Sequence, residues 1–139
     1  MTQTIQTSSA ARGAQIIHAA LVIGLLLAGA TFFLVMQVQR PDHMPSIGLA
    51  LGGIALAILA GSFAFLRGRV PERRSDQSSN DYWQANENRG PAIVLWVGVE
   101  SAGILSLMGY IIGGQITPAA VAVLAIIALI LVRPARLEG

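Results

Sequence analysis

Four long apolar segments, separated by short or polar stretches, dominate the hydrophobic pattern of the chain. Their apolar positions run almost continuously, whereas a helix packed on a soluble core alternates apolar and polar positions at three- and four-residue spacing. A helix needs about 20 apolar residues to cross the roughly 30 Å of hydrocarbon in a bilayer. We therefore predict four membrane spans, at residues 15–38, 46–66, 92–112 and 118–132.

The spans are predicted to be helices, because backbone groups in lipid must find their hydrogen-bond partners within the same segment. The resulting fold class is all-α: an integral membrane four-helix bundle of two antiparallel hairpins, forming a single domain over residues 1–139. A polar loop at 67–91 joins the hairpins. The fourth span is the shortest, so it must stand nearly upright or thin the bilayer locally.

Residues typical of helix ends flank the spans. Ser46 and Thr117 are placed as N-caps, and Pro91 suits the first turn of the third helix. Gly113 and Gly114 are predicted to end that helix and open a tight turn into the fourth.

The arginines predict the orientation. In the predicted topology eight of them lie on one side of the membrane and only Arg40 lies on the other. Because the arginine-rich side of a membrane protein usually faces the cytoplasm, the first side is predicted to be cytoplasmic. Both termini are thus expected in the cytoplasm of a bacterium, with the chain in the inner membrane. The eight arginines are Arg12, Arg67, Arg69, Arg73, Arg74, Arg89, Arg133 and Arg136.

The first segment also has features of a cleaved signal peptide, since Arg12 precedes an apolar stretch and Ala28-Gly29-Ala30 is similar to a cleavage site. The apolar run continues beyond that point through 31–36. We therefore expect the segment to be retained as a span.

Composition excludes several classes of function. The chain is 54% hydrophobic and 12% charged, contains no cysteine, and has a net charge of +2 without a basic face suited to nucleic acid. Nucleotide-binding, zinc-protease and serine-hydrolase motifs are absent from the sequence. His18 and His43 fall on opposite membrane sides, which argues against a haem between them. The 42–44 turn, Asp-His-Met, could touch a soft metal but is interpreted as a solvated turn. We expect no enzyme activity, cofactor or metal.

The 67–91 loop is rich in Ser, Asn, Asp and Gln, so it is expected to be mobile or ordered only by a partner. Tyr82 and Trp83 are expected at the lipid headgroup level. Arg73 and Arg74 either contact anionic lipid or serve only to set topology.

Small residues recur at four-residue spacing in three spans and would let helix backbones approach closely. These stripes are interpreted as the packing surfaces of the bundle, with the alternative that one stripe faces another subunit. They comprise Ala20, Gly24 and Ala28 in the first span, Gly48 and Gly52 and then Gly53, Ala57 and Gly61 in the second, and Gly98, Ala102 and Ser106 in the third.

Glu100 is the single charged residue of the third span. At 100° per residue it lies about 200° from Gly98 and Ala102, so it is predicted to face a second neighbour, a partner or lipid. An ionised carboxylate at this depth costs at least about 2.5–3.5 kcal/mol, so the group is expected to be paired or protonated. A relay from His18 through water to Glu100 is one hypothesis, and an interfacial, solvated His18 is the other.

Residues 46–112 resemble the hairpin of proteolipid (c-type) subunits of rotary ATPases. GLALGGIALAILAG is similar to the family's glycine-rich helix, and VESAGIL to its carboxylate segment. The resemblance implies a proton- or cation-binding role for Glu100. The loop between these helices is longer than the tight turn of that family.

The whole chain also resembles small four-span bacterial membrane proteins that carry a glutamate in the third span and a short tail such as VRPARLEG. This likeness implies the architecture and no activity. Two hypotheses of function follow. The first is a non-catalytic accessory subunit or homo-oligomer, whose partners are the lipid bilayer and other membrane subunits or itself. The alternative is proton or cation translocation through Glu100.

Overall fold

The computed structural model describes residues 9–39 and 42–139, and every regular element in these ranges is helical. Arg40, the lone arginine of the outer side in the charge count, lies outside them. The elements are α1 (Ser9–Gln39), α2 (Pro45–Gly61) continued by a π turn (Ser62–Leu66) and a 3-10 turn (Arg67–Arg69), α3 (Ser79–Gln84), α4 (Asn86–Gly113), α5 (Ile116–Leu131) and α6 (Pro134–Leu137).

Three helices in the described part of the chain are long and apolar enough to cross a membrane: Ala10–Val38, Pro45–Arg69 and Asn86–Gly113. The all-α class and the membrane character predicted from the sequence are confirmed at this level. α5 is also apolar, but its 16 residues extend only about 24 Å at 1.5 Å per residue. It is therefore shorter than the hydrocarbon layer.

α4 is the central helix. Half of the most apolar 18-residue stretch of α4 is buried inside the protein, whereas only 6% of the corresponding stretch of α1 is buried. α4 packs against α1, α2 and α5, and α5 also contacts α1 and α2. Gly109 meets α2 whereas Leu107 lies near Gly29 of α1, and these two α4 positions are about 200° apart. α1 and α2 therefore flank the α4–α5 pair on different sides.

Glycines bring α2 and α4 into backbone contact. A Cβ on Gly48 would overlap the backbone of Gly113 and Gly109, and one on Gly109 would lie 2.8 Å from the Gly48 carbonyl oxygen. Gly52 packs on the ring of Pro118 at the start of α5, with 3.2 Å from its Cβ position to Cγ. Nothing larger than hydrogen fits at Gly48 and Gly109, whereas a methyl group at Gly52 would require a small shift of Pro118.

The predicted helix ends are only partly correct. Gly114 ends α4 in the left-handed conformation, φ 66°, which confirms the predicted stop. Pro45 itself takes the first position of α2, so Met44 is the N-cap and the assignment of Ser46 is wrong. Gln115 likewise replaces Thr117 as the N-cap of α5.

α4 begins at Asn86, earlier than the predicted span, and Pro91 lies inside the helix instead of in its first turn. The early start follows from the joint with α3. Ala85 serves both as the C-cap of α3 and as the N-cap of α4, and the Asn88 side-chain amide donates to the Tyr82 carbonyl oxygen at 2.9 Å.

We call α3, α6 and residues 70–78 together the capped end. It covers the end of the bundle at which α1 begins and α5 ends. Tyr82 and Trp83 are completely buried there, with their ring centroids 5.0 Å apart. Trp96 of α4 follows at 5.7 Å from Trp83 and donates through Nε1 to the Val132 carbonyl oxygen at 2.7 Å. The 67–91 segment, expected to be mobile or ordered by a partner, is thus folded on the protein itself.

Candidate functional site

Glu100 lies in the seam between α1 and α4. Its Oε1 atom is 3.6 Å from the position that a Cβ on Gly24 would occupy, so the carboxyl group lies against Gly24 at van der Waals distance. The residue is partly exposed, and within the described ranges no ion pair engages it. The carboxyl group therefore sits beside a helix seam and opens towards the surface of the protein.

His18 makes its contacts elsewhere. Its Nε2 donates to the Leu129 carbonyl oxygen at 2.8 Å, since a carbonyl can only accept, and its ring meets Trp96 edge-on at 5.2 Å. The side chain is buried, which differs from a solvated interfacial histidine. Glu100 is level with Gly24, about 9 Å further along α1 at 1.5 Å per residue. The structure does not bring the two ends of the hypothetical relay together.

The predicted stripe of α4 faces its own helices. A Cβ on Gly98 would lie 2.6 Å from the Ser62 Oγ, and Ala102 is completely buried. Ser106 is also buried and donates to the Pro118 carbonyl oxygen. These three residues lie on faces of α4 turned towards α2 and α5, whereas Glu100 faces α1.

The stripe of α2 has the opposite placement. Gly53 and Ala57 are exposed, and no atom outside their own helix lies within 4 Å of a Cβ built on Gly53 or Gly61. In α1, Gly24 meets Glu100, and Ala28 is partly buried against the core. The first part of the predicted α2 stripe, Gly48 and Gly52, lies on the inner side, and these are the glycines of α2 that make close contact within the described fold.

Two exposed alanines extend this outward stripe. Ala50 and Ala60 join Gly53 and Ala57 to give a series spaced by three, four and three residues, which keeps one helical face. At 100° per residue Ala57 lies about 180° from the buried Gly48. We call these four residues the outer face of α2. The four-residue spacing considered in the sequence had captured only half of it.

The aromatic residues of the 67–91 segment lie inside the protein and not at a lipid surface. The Tyr82 hydroxyl donates to the Pro71 carbonyl oxygen at 2.6 Å. Burial raises the pKa of Tyr82 above its ordinary value of 10.0; the negative charge of Glu138 raises it further, and Arg67 opposes the shift. Arg74 is exposed.

Glu138 organises the capped end and was not anticipated from the sequence. Its Oε1 accepts hydrogen bonds from Trp83 Nε1 at 2.7 Å and from Ser79 Oγ at 2.9 Å, and its Oε2 lies 3.8 Å from Arg73 Nε. The Glu138 carbonyl oxygen also accepts from the Arg73 amide at 3.1 Å. Arg73 is therefore held at the protein surface by Glu138. In the sequence, the one feature that points to this arrangement is Pro134. It starts α6 directly after α5 and thereby turns the C-terminal residues back onto the protein.

The described residues contain no group of three or more His, Asp or Glu side chains placed to hold a metal ion. His43, one of the three residues of the candidate metal turn, packs its ring against Gly114 instead. Comparison with known protein families, with curated proteins and with solved structures found no match.

Proposed function

We propose that this protein is a non-catalytic structural subunit of the bacterial inner membrane that assembles through the outer face of α2. The capped end and the helix ends next to it, where the α1 N-terminus meets the α5 C-terminus, together carry eight of the nine arginines, which supports a cytoplasmic location for this end and for both termini. α5 is then the fourth span, short and upright or seated in a locally thinned bilayer.

The single observation that carries the proposal is the contrast between the two sides of α2. Both sides are lined by small residues, but a Cβ on Gly48 or Gly52 of the inner side would meet α4 or α5, whereas one on Gly53 of the outer side would meet nothing within 4 Å. At the edge of the outer face, Ala60 borders an apolar groove between α2 and α5. Small residues stabilise a membrane helix only where another backbone comes close enough to use the space, because lipid tails supply no hydrophobic drive between helices. An outward row of Ala50, Gly53, Ala57 and Ala60 fits a further helix better than it fits lipid alone.

A second copy of the chain is the occupant that this face fits. Two copies inserted in the same direction pair around a two-fold axis normal to the membrane, so that each residue near the axis meets its own counterpart. Spacing by three and four residues keeps the same row at the axis over several turns. The larger Leu49, Ile54 and Leu56 flank the row and are exposed, so they would pack beside the contact.

Native mass spectrometry in mild detergent tests the proposal. We expect the wild-type protein to be a dimer and Ala57→Leu to be a monomer with unchanged helix content, because Ala57 is exposed on the outer face of α2. Ala120→Leu is the matched control, since it adds the same bulk at an exposed position of α5 and should leave the dimer intact. A monomeric wild type, or a dimer that survives Ala57→Leu, would contradict the proposal.

Proton or cation translocation is the second candidate, and the position of Glu100 favours it. An intramembrane carboxyl group that is partly open at a helix seam, beside Gly24, can exchange an ion with its surroundings. Glu100→Gln should then abolish proton flux into liposomes while leaving folding and assembly unchanged. Equal proton flux for wild type and Glu100→Gln would exclude this role. A dimer that depends on Ala57 would then support the structural-subunit proposal by itself.

A further inference from the structure

An apolar groove runs between α1 and α5, on the half of the molecule away from the capped end. It encloses about 310 Å³, and Tyr110 of α4 is among the residues at its floor. Its walls are Leu26, Gly29 and Phe33 on α1 and Val123 and Ile126 on α5. Since these walls belong to helices in hydrocarbon, the groove is suited to an acyl chain.

A polar recess lies between the same two helices at the capped end. It encloses about 380 Å³ and is lined by Gln15 and His18 of α1 and by Arg133, Pro134 and Ala135 beyond the end of α5. We call the recess and the groove together the α1–α5 cleft. The recess lies just beyond the α5 C-terminus, the depth at which lipid headgroups are found.

Helical geometry aligns the recess with the groove. At 100° per residue Gln15, Leu26 and Phe33 lie within about 20° of one another around α1. The same side of this helix therefore faces the recess and the groove. Arg133 is about 10 Å above Ile126 at 1.5 Å per residue. The His18–Leu129 hydrogen bond joins α1 and α5 between the recess and the groove, so an acyl chain that starts below Arg133 would pass over this contact to reach the groove.

Charge identifies the occupant of the recess. The Arg133 side chain is exposed, and it makes no ion pair among the residues that the structure describes. A guanidinium group binds phosphate oxygens through paired N–H donors, and the Gln15 amide can add another donor beside it. An uncompensated cation at headgroup depth above an apolar groove matches a phospholipid whose headgroup keeps a net negative charge.

We propose that the α1–α5 cleft binds one anionic phospholipid, with its phosphate on Arg133 and Gln15 and one acyl chain along Leu26, Gly29 and Phe33. This site is separate from the outer face of α2, because it lies between α1 and α5. The proposal therefore does not rest on self-association.

The test is native mass spectrometry of the full chain titrated with phosphatidylglycerol or with phosphatidylcholine, which has the same phosphate but no net charge. We expect one phosphatidylglycerol per chain to bind, and phosphatidylcholine to bind more weakly. Arg133→Gln should weaken phosphatidylglycerol binding about fivefold, the effect of one arginine at a membrane surface. Arg69→Gln is the matched control, since it removes the same charge from the exposed end of the α2 segment and should change nothing.

The acyl chain is tested separately by filling the groove. Gly29→Leu should weaken phosphatidylglycerol binding because a Cβ there has only Leu107 near it, at 4.0 Å, and the added side chain therefore projects into the groove. If this variant loses helix content, Ala30→Phe fills the same space from an exposed position.

Three results would overturn the proposal: equal binding of the two lipids, unchanged binding in Arg133→Gln, or unchanged binding in the filled-groove variant. Soluble glycerophosphoglycerol separates a lipid site from a simple anion site. If this headgroup alone binds as tightly as the lipid, the acyl groove takes no part and the proposal is wrong.

Discussion

The two sides of α2 carry similar residues and have opposite surroundings. On the inner side Gly48 and Gly52 meet the backbone of α4 and the ring of Pro118, whereas on the outer side Gly53 has no neighbouring helix within 4 Å. A sequence pattern of small residues therefore shows where a helix can be approached closely, but not which protein approaches it. The comparison predicts that bulk added to the inner side destroys the fold and that bulk added to the outer side changes only assembly.

The largest effect is expected on the inner side, from Gly48→Leu. The new side chain would occupy the space of the Gly113 backbone, so α2 and α4 would have to separate. We expect the free energy of unfolding to fall by at least about 3 kcal/mol, at the upper end of overpacking effects. Unfolding in mixed micelles, followed by helix content, measures the change.

Gly53→Leu is the control for that measurement, since its Cβ meets open space. The free energy of unfolding of the monomer should be nearly unchanged. Equal destabilisation by the two variants would mean that the inner and outer sides of α2 do not differ as described.

The close packing of Gly98 against Ser62 can be disturbed by one substitution and relieved by a second. Gly98→Ala would place a methyl group 2.6 Å from the Ser62 Oγ but 3.6 Å from its Cβ. We expect a loss of about 1–3 kcal/mol, and recovery of most of it in the double variant Gly98→Ala/Ser62→Ala, because only the hydroxyl oxygen overlaps. A double-mutant cycle of unfolding free energies measures the coupling, and strictly additive losses would refute this packing.

At the capped end, Glu138→Ala should remove the acceptor of the buried Trp83 indole N–H. An unpaired buried donor costs about 1–3 kcal/mol, and loss of the contact should open the segment between α2 and α4. Tryptophan fluorescence reports this directly, because Trp83 and Trp96 are the two tryptophans of the chain. Glu72→Ala, at an exposed position, should leave the emission unchanged, and an unshifted spectrum in Glu138→Ala would contradict the proposed role.

The smallest effect concerns alkaline pH. Because burial raises the pKa of Tyr82, the folded protein holds this proton more tightly than the unfolded chain does. The resulting stability is fully present below the unfolded value of about 10 and is lost as pH rises through the folded pKa. Tyrosinate absorbance of the wild type should show a component above the ordinary range that disappears in Tyr82→Phe. The difference between the wild type and Tyr82→Phe isolates the titration of Tyr82, and a midpoint of this difference in the ordinary range would contradict the burial of the hydroxyl.

The sequence predicted what depends on local chemistry. Apolar run length identified the three helices that are long and apolar enough to cross a membrane, and the Gly113-Gly114 pair identified the end of α4, because the left-handed conformation there favours glycine. The caps of α2 and α5 were misassigned because Pro45 takes the first helical position, which makes Met44 the N-cap, and because α5 already begins at Ile116, which makes Gln115 the N-cap.

Long-range contacts explain the remaining differences. Tyr82 and Trp83 are residue types typical of a membrane interface. Inside the protein, however, Pro71 accepts the hydrogen bond of Tyr82 and Glu138 accepts that of Trp83. His18 likewise pairs with Leu129, far away in the chain. No periodicity in the sequence encodes these partners. For Glu100, helical geometry placed it away from the Gly98 stripe, and the structure shows α1 on that side.

Cysteine cross-linking within membranes tests the central claim most directly. The chain contains no cysteine, so Ala57→Cys introduces a single thiol on the outer face of α2, and Ile104→Cys places a control thiol on the exposed side of α4. Mild oxidation should convert Ala57→Cys to a disulfide-linked dimer and leave Ile104→Cys monomeric. If Ala57→Cys stays monomeric, or if both variants cross-link equally, the outer face of α2 is not the site where two copies meet.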